Sequence, residues 1–156
     1  MIEIDVPGWK TLRLEHAVFD VNGTQAVDGR LIDGVADRLA ALRTRLRVHM
    51  LTADTHGGQA AIDRQLGLVA HRMTPGGERE QKAAFVEQLG GSGVVSMGNG
   101  ANDAGMLKAS ALSIAVLGRE GASGEILAAA DVVITDIRDA LDLLLLPKRL
   151  SVTLRR

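Results

Sequence analysis

Cysteine is absent from the 156 residues, which removes disulfides, thiolate metal sites and cysteine nucleophiles together. Aromatic residues make up only 2% of the chain, as Trp9, Phe19 and Phe85, too few for a base-stacking platform or an aromatic cage. Neither sign of charge is in excess. The 18 Lys+Arg stand against 19 Asp+Glu, a net charge of −1, whereas a dedicated nucleic-acid binder carries a strongly basic surface. Long apolar runs are missing too: Leu143 to Leu146 is far short of the ~20 residues of a membrane span. No basic, then apolar, then small-residue leader opens the chain, so the expected compartment is the cytoplasm. What remains is a Gly-rich and Ala-rich chain, 46% hydrophobic, of a length that makes one buried core.

The first fifteen residues alternate apolar and polar around Pro7-Gly8-Trp9, the signature of a β-hairpin. Short apolar runs follow at 17–19, 48–51, 68–70, 94–95, 114–117 and 132–134. Between the first two, Ile32, Val35, Leu39, Leu42 and Leu46 recur at steps of three and four, one face of a helix. Helical patterns also cover 56–66, 79–89, 103–110, 121–129 and 137–146. Strands alternating with helices at this spacing predict an α/β fold, a doubly wound parallel sheet with helices on both faces. The expected organisation is one domain over 1–156: a hairpin at 1–15, a core at 16–146, and a basic tail at 147–156 after Pro147.

Ligands of open parallel sheets sit where strand carboxyl ends hand over to helices, so polar residues just after the apolar runs are the candidates. Asp20 follows Phe19, and Asn22-Gly23-Thr24 let amides approach an anion; an ordinary Asn-Gly turn has the same sequence. Thr52 ends the next strand, with Ala53, Asp54 and Thr55 after it. Its hydroxyl can face the same anion, while Asp54 or Thr55 is equally a plain helix cap. Lys82 precedes Phe85, Val86 and Leu89 by three, four and seven residues, which puts it on the apolar stripe of its helix. A lysine there either snorkels to water or reaches an internal charge, and neighbouring acids favour the second. The segment Gly98-Asn99-Gly100-Ala101-Asn102-Asp103 reads as a Gly-rich loop with a helix cap, or as an acid placed opposite Asp20 in an oxygen-rich pocket. Such a pocket suits Mg²⁺ better than zinc. His16, His49, His56 and His71 lack zinc-site spacing and read as structural or surface residues. No Walker loop, dinucleotide fingerprint or nucleophile elbow is present.

Taken in order, these segments resemble the haloacid dehalogenase superfamily, and within it the phosphorylation domain of P-type ATPases and their small soluble relatives. Asp20 to Thr24 looks like the phosphorylation loop, Met50 to Asp54 like the Thr-Gly-Asp motif, Gln81-Lys82 like the motif-three lysine, and Gly98 to Asp103 like Gly-Asp-Gly-x-Asn-Asp. The resemblance implies a Mg²⁺-dependent phosphohydrolase with a Rossmann-like core and Asp20 as the phosphorylated nucleophile. Asn22, Thr52 and Lys82 would share the catalytic site, while Gly23, Thr24, Thr52, Ala53 and Lys82 would bind phosphate. Asp20, Asn22, Asn99 and Asp103 would hold the metal. Only 32 residues separate Asp20 from Thr52, and 30 separate Thr52 from Lys82, so no cap domain is expected and the site should admit small phosphorylated substrates or phosphoproteins. Two residues depart from the family pattern. Asn22 stands where hydrolytic members carry a second Asp as general acid and base, and Asn99 where they carry a metal-binding Asp. The alternative reading is a regulatory module that binds phosphate or stays phosphorylated without turnover.

Overall fold

The strands and helices follow from where apolar residues fall along the chain, and the computed structural model describes residues 1–54 and 57–156. The central sheet has six strands in the order β10-β9-β8-β3-β6-β7, all parallel. They are β3 (His16–Asp20), β6 (Arg47–Thr52), β7 (His71–Arg72), β8 (Val94–Gly98), β9 (Leu112–Val116) and β10 (Val132–Ile134). β3, β8 and β9 are buried at every residue, which is why they read as continuous apolar runs rather than alternating ones.

Alternate side chains feed two cores. Ala17, Phe19, Val48, Met50, Val95, Met97, Leu112 and Ile114 belong to one cluster, together with Val35, Leu39 and Leu42 of α1 (Val35–Arg43) and Ile137, Leu141 and Leu144 of α6 (Ile137–Leu145). Val18, Leu51, Val94 and Ala115 belong to the other, with Val86 of α3 (Glu78–Gln88), Met106 and Leu107 of α4 (Ala104–Ala109) and Ile126 of α5 (Gly124–Ala129). The period-two pleat thus sorts each strand between a helix layer on either side. Arg38 pins α1 to α6 through a two-pronged pair with Asp142, at 2.9 and 3.1 Å.

The N-terminal hairpin of β1 (Ile2–Asp5) and β2 (Thr11–Leu14) buries one face, Ile2, Ile4, Val6, Leu12 and Leu14, in the first core. β2 runs into β3 through Glu15, whose backbone bonds Gly93 and Arg47. The hairpin therefore lies at the amino ends of the strands, away from their carboxyl ends. Between β3 and α1 the chain makes only a second small hairpin, β4 (Ala26–Val27) with β5 (Arg30–Leu31), and no cap domain is inserted there.

Two expected elements differ. The run 68–70 is not a strand: Ala70 N–H is bound by the Asp63 carboxylate of α2 (Gln59–Leu66) at 3.1 Å. Pairing with β6 begins only at His71. Residues 147–156 are not a free tail. Pro147 starts α7 (Lys148–Leu154), since a proline that cannot continue one helix is well suited to begin another. Leu150 is buried, the Ser151 hydroxyl donates to Asp5 O at 2.6 Å, and Arg156 N–H donates to Pro7 O at 3.0 Å. The helix is thereby docked on the N-terminal hairpin. The start of the helix expected at 56, with Thr55 and His56, lies outside the described residues. No helix among the described residues is long and apolar enough to cross a membrane.

Candidate active site

The chain leaves β3 toward β6 and later returns to place β8 on its other side, so the direction of winding reverses between β3 and β8. Loops diverge at such a point and leave a crevice. Asp20 is the last residue of β3, Thr52 of β6 and Gly98 of β8, so all three end at this point, with Asp20 and Thr52 buried there.

After Asp20 the backbone turns tightly. Val21 O accepts the N–H groups of Thr24, Gln25 and Ala26 at 3.2, 2.9 and 3.0 Å, a turn made possible by Gly23 at φ 78. The turn brings the Thr24 hydroxyl against two acceptors, Asp20 Oδ2 and Asn99 Oδ1, each at 3.2 Å. Lys82, from the second turn of α3, reaches across the crevice. Its ammonium donates to Asp20 Oδ1 and to Asp103 Oδ1, both at 2.6 Å. Lys82 and Asp103 are at most 1% exposed. Asp103 is held further by the N–H groups of Asn99 and Gly100 on its Oδ2, at 3.1 and 3.0 Å. A methyl group on Gly98 would come within 2.5 Å of that carboxylate, so glycine is required for the close approach.

Thr52 is fully buried. Its Oγ1 accepts from the Asn22 amide at 3.2 Å and from Asp54 N–H at 2.9 Å, which leaves its own O–H free, among the described residues, to donate to an anion. Ala53 adjoins Thr52 in the following loop.

Two carboxylates share one ammonium in a nearly dry place. Burial, then the charge of Asp103, push the Asp20 carboxyl up from 3.8 to about 7, against the pull of Lys82 and the Thr24 hydroxyl. Burial opposes the charge on Lys82, but the two carboxylates outweigh it and hold the ammonium firmly protonated. With both carboxyls ionised, one negative charge is left without a partner, and that imbalance fits a divalent cation. Among the described residues no group of three His, Cys, Asp or Glu side chains is placed to hold a metal. The donors at hand are the Asp20 carboxylate, the Asn99 amide oxygen and the Asn22 carbonyl. These are hard oxygens of the kind Mg²⁺ accepts alongside its own waters.

Two features lie beyond the residues expected from the sequence. Glu120, in the loop after β9, approaches Gly23. A cavity of about 750 Å³ adjoins Gly23 and Thr24, lined by Arg30, Arg119, Asp28 and Asp33 among others. The signal that found the other candidates, polar residues just after an apolar run, is also present at Arg119 and Glu120 after 114–117. His16, His49 and His71 cluster with Phe85: His16 stacks on His49, with His16 Nδ1 3.1 Å from His49 Nε2, and Phe85 meets His49 edge-on and His71 at a tilt.

Known structures share this architecture. A protein from Streptomyces avermitilis assigned to the haloacid dehalogenase hydrolases superposes with a TM-score of 0.69 at 24% identity, over 87% of each chain. The cobalt-bound deoxy-D-mannose-octulosonate 8-phosphate phosphatase of Haemophilus influenzae gives 0.66 at 20% identity, covering 89% of this chain and 91% of that one. A phospho-aspartyl intermediate analogue of phosphoserine phosphatase gives 0.67 at 17%, covering 85% and 99%. The fold is thus the haloacid dehalogenase fold, as the ordered motifs led one to expect. No family model matches the sequence. In sequence the chain belongs to the family of the uncharacterized protein MJ0073 of Methanocaldococcus jannaschii, 40% identical over 84 residues, which are 51% of this chain and 90% of that protein.

Proposed function

We propose that this chain is a Mg²⁺-dependent phosphohydrolase that works through an aspartyl-phosphate on Asp20. The observation that carries the reading is the Lys82 ammonium at 2.6 Å from both Asp20 and Asp103, at the crevice where the winding of the sheet reverses. The two named phosphatases of the same fold point the same way.

An Asp20 carboxylate oxygen attacks phosphorus, the bond from phosphorus to the leaving oxygen breaks, and the phosphoryl group is held as an acyl phosphate. Lys82 and the free Thr52 hydroxyl face the phosphoryl oxygens and offset their charge, the main source of catalysis in phosphoryl transfer. Water then attacks phosphorus, releasing phosphate and restoring the carboxylate. Asp20, the Asn22 carbonyl and Asn99, backed by Asp103, would hold Mg²⁺. When bound, the ion supplies neutralisation and alignment of the phosphoryl oxygens.

Asn22 has no proton to give, and its amide is engaged by Thr52. General acid catalysis is typically worth ~10²–10⁴-fold, so leaving groups that depart without a proton are favoured, acyl phosphates above alkyl ones. The mixed arginine and aspartate lining of the adjoining cavity supports a small hydrophilic leaving group. The test is phosphate release from acetyl phosphate, p-nitrophenyl phosphate and an alkyl sugar phosphate, in Mg²⁺ or EDTA, for the wild type and Asp20→Asn. Turnover requiring both Mg²⁺ and Asp20, fastest on acetyl phosphate, is expected. Equal rates on the acyl and alkyl substrates would remove the role given to Asn22. The same Asn22 to Thr52 bond favours a second reading, a phosphorylated regulatory module, which predicts a phospho-Asp20 lasting hours without turnover.

A further inference from the structure

Asn99 offers a cation an amide oxygen but no negative charge, and an acid of the neighbouring loop stands beside it. A methyl group built on Gly23 would lie 2.5 Å from Asn99 Nδ2 and 2.8 Å from Glu120 Oε2. The amide and the carboxylate therefore stand against the same face of the phosphorylation loop, beside Gly23. The loop carrying Glu120 is tied down on both sides. Glu120 Oε1 accepts the N–H of Asp28 at 3.3 Å, and Asn99 Nδ2 donates to Gly121 O at 3.2 Å. Asn99 Oδ1 is linked in turn through the Thr24 hydroxyl to Asp20 Oδ2.

We infer that Glu120 supplies, through the water shell of the bound cation, the negative charge that Asn99 does not. This rests on the cation-dependent reading of the site above. Asp20 and Asp103 against Lys82 leave one negative charge, and Glu120 makes two, the charge of one divalent ion. Glu120 is exposed, so it acts from its own hydration shell and its effect is screened by salt. Outer-shell partners of this kind tune a metal site without touching the ion.

The experiment is Mg²⁺ binding to the full chain, by calorimetry and by the Mg²⁺-induced rise in melting temperature, for the wild type, Glu120→Gln, Asn99→Asp and the double variant. Glutamine keeps an acceptor for Asp28 N–H and removes only the charge. The metal-free melting temperature of Glu120→Gln should therefore stay at the wild-type value while its Mg²⁺ affinity falls about tenfold. Asn99→Asp added to Glu120→Gln should return the affinity, and raising NaCl should narrow the gap between wild type and Glu120→Gln. Unchanged Mg²⁺ affinity in Glu120→Gln would overturn the inference and leave the cation site standing, with Glu120 as a loop tie. Failure of Asn99→Asp to restore binding, in a double variant whose metal-free melting temperature matches the wild type despite losing the amide bond to Gly121 O, would overturn the compensation. A wild type that binds no Mg²⁺ would instead overturn the cation-dependent reading itself.

Discussion

In the metal-free protein Asp20 and Asp103 compete for one ammonium, and Asp20→Asn removes one of the two carboxylate charges with almost no change of shape. A carboxyl at about 7 in the fold and 3.8 in the unfolded chain is about 4 kcal/mol harder to ionise when folded. Against this, asparagine keeps one oxygen for Lys82 and gives up the bond accepted from Thr24, a loss of about 1–2 kcal/mol. The Thr24 hydroxyl still has Asn99 Oδ1 at 3.2 Å. Asp20→Asn should therefore be more stable than the wild type by about 2–3 kcal/mol at pH 8. The sign follows from the raised value. The contribution of Asp20 to stability is complete below 3.8 and is lost as pH climbs through about 7, so the gap opens between pH 4 and 7. Urea unfolding in EDTA at pH 4 and pH 8 measures it, by circular dichroism and by the fluorescence of Trp9. Trp9 sits in the hairpin at the amino ends of the strands, where Asp20 does not reach. Mg²⁺ should raise the wild-type midpoint and leave that of Asp20→Asn nearly unmoved. An Asn variant less stable than the wild type at pH 8, or a gap that does not vary with pH, would refute the shared-ammonium account.

Two further outcomes follow from other polar side chains. Gln25 is fully buried, and among the described residues neither its amide nitrogen nor its oxygen has a partner. Gln25→Leu should stabilise the protein by about 1–3 kcal/mol, read as a higher urea midpoint, and a lower midpoint would mean the amide is satisfied in solution. Burial, then His16, His71 and Arg47, depress His49 from 6.5 to about 4, and His16 is lowered in the same stack. A neutral His49 means that stability is lost as pH falls from 6.5 toward 4. His49→Phe should flatten that part of the stability profile, and an unchanged slope would show that His49 titrates normally.

The order of elements was legible because its causes are local. Period-two and period-3.6 patterns come from which side chains face a core, and residues 16–20, 94–98 and 112–116 are so fully enclosed that their apolar runs mark them as central strands. Asp20 and Thr52 were legible for the related reason that they follow apolar runs directly, Lys82 because it falls on the apolar stripe of its helix, and Asp103 because it closes the Gly-rich loop after the 94–95 run. The edge of the sheet was harder to place. His71–Arg72 is a two-residue strand whose start depends on where Asp63 captures Ala70 N–H. The last ten residues read as a tail because only a partner distant in sequence, the hairpin at Asp5 and Pro7, gives α7 something to pack on.

The chain by itself thus determined the succession of strands and helices and the chemistry offered at each strand end, since both depend on neighbours a few residues apart. Only the tertiary structure decided which of those groups meet. Lys82 lies 62 residues from Asp20 and 21 from Asp103, Thr24 lies 75 from Asn99, and Glu120 comes to Gly23 from the far side of β8. These approaches are fixed by strand order and by the reversal of winding at β3 and β8, and no local pattern encodes how far apart two strand ends will stand.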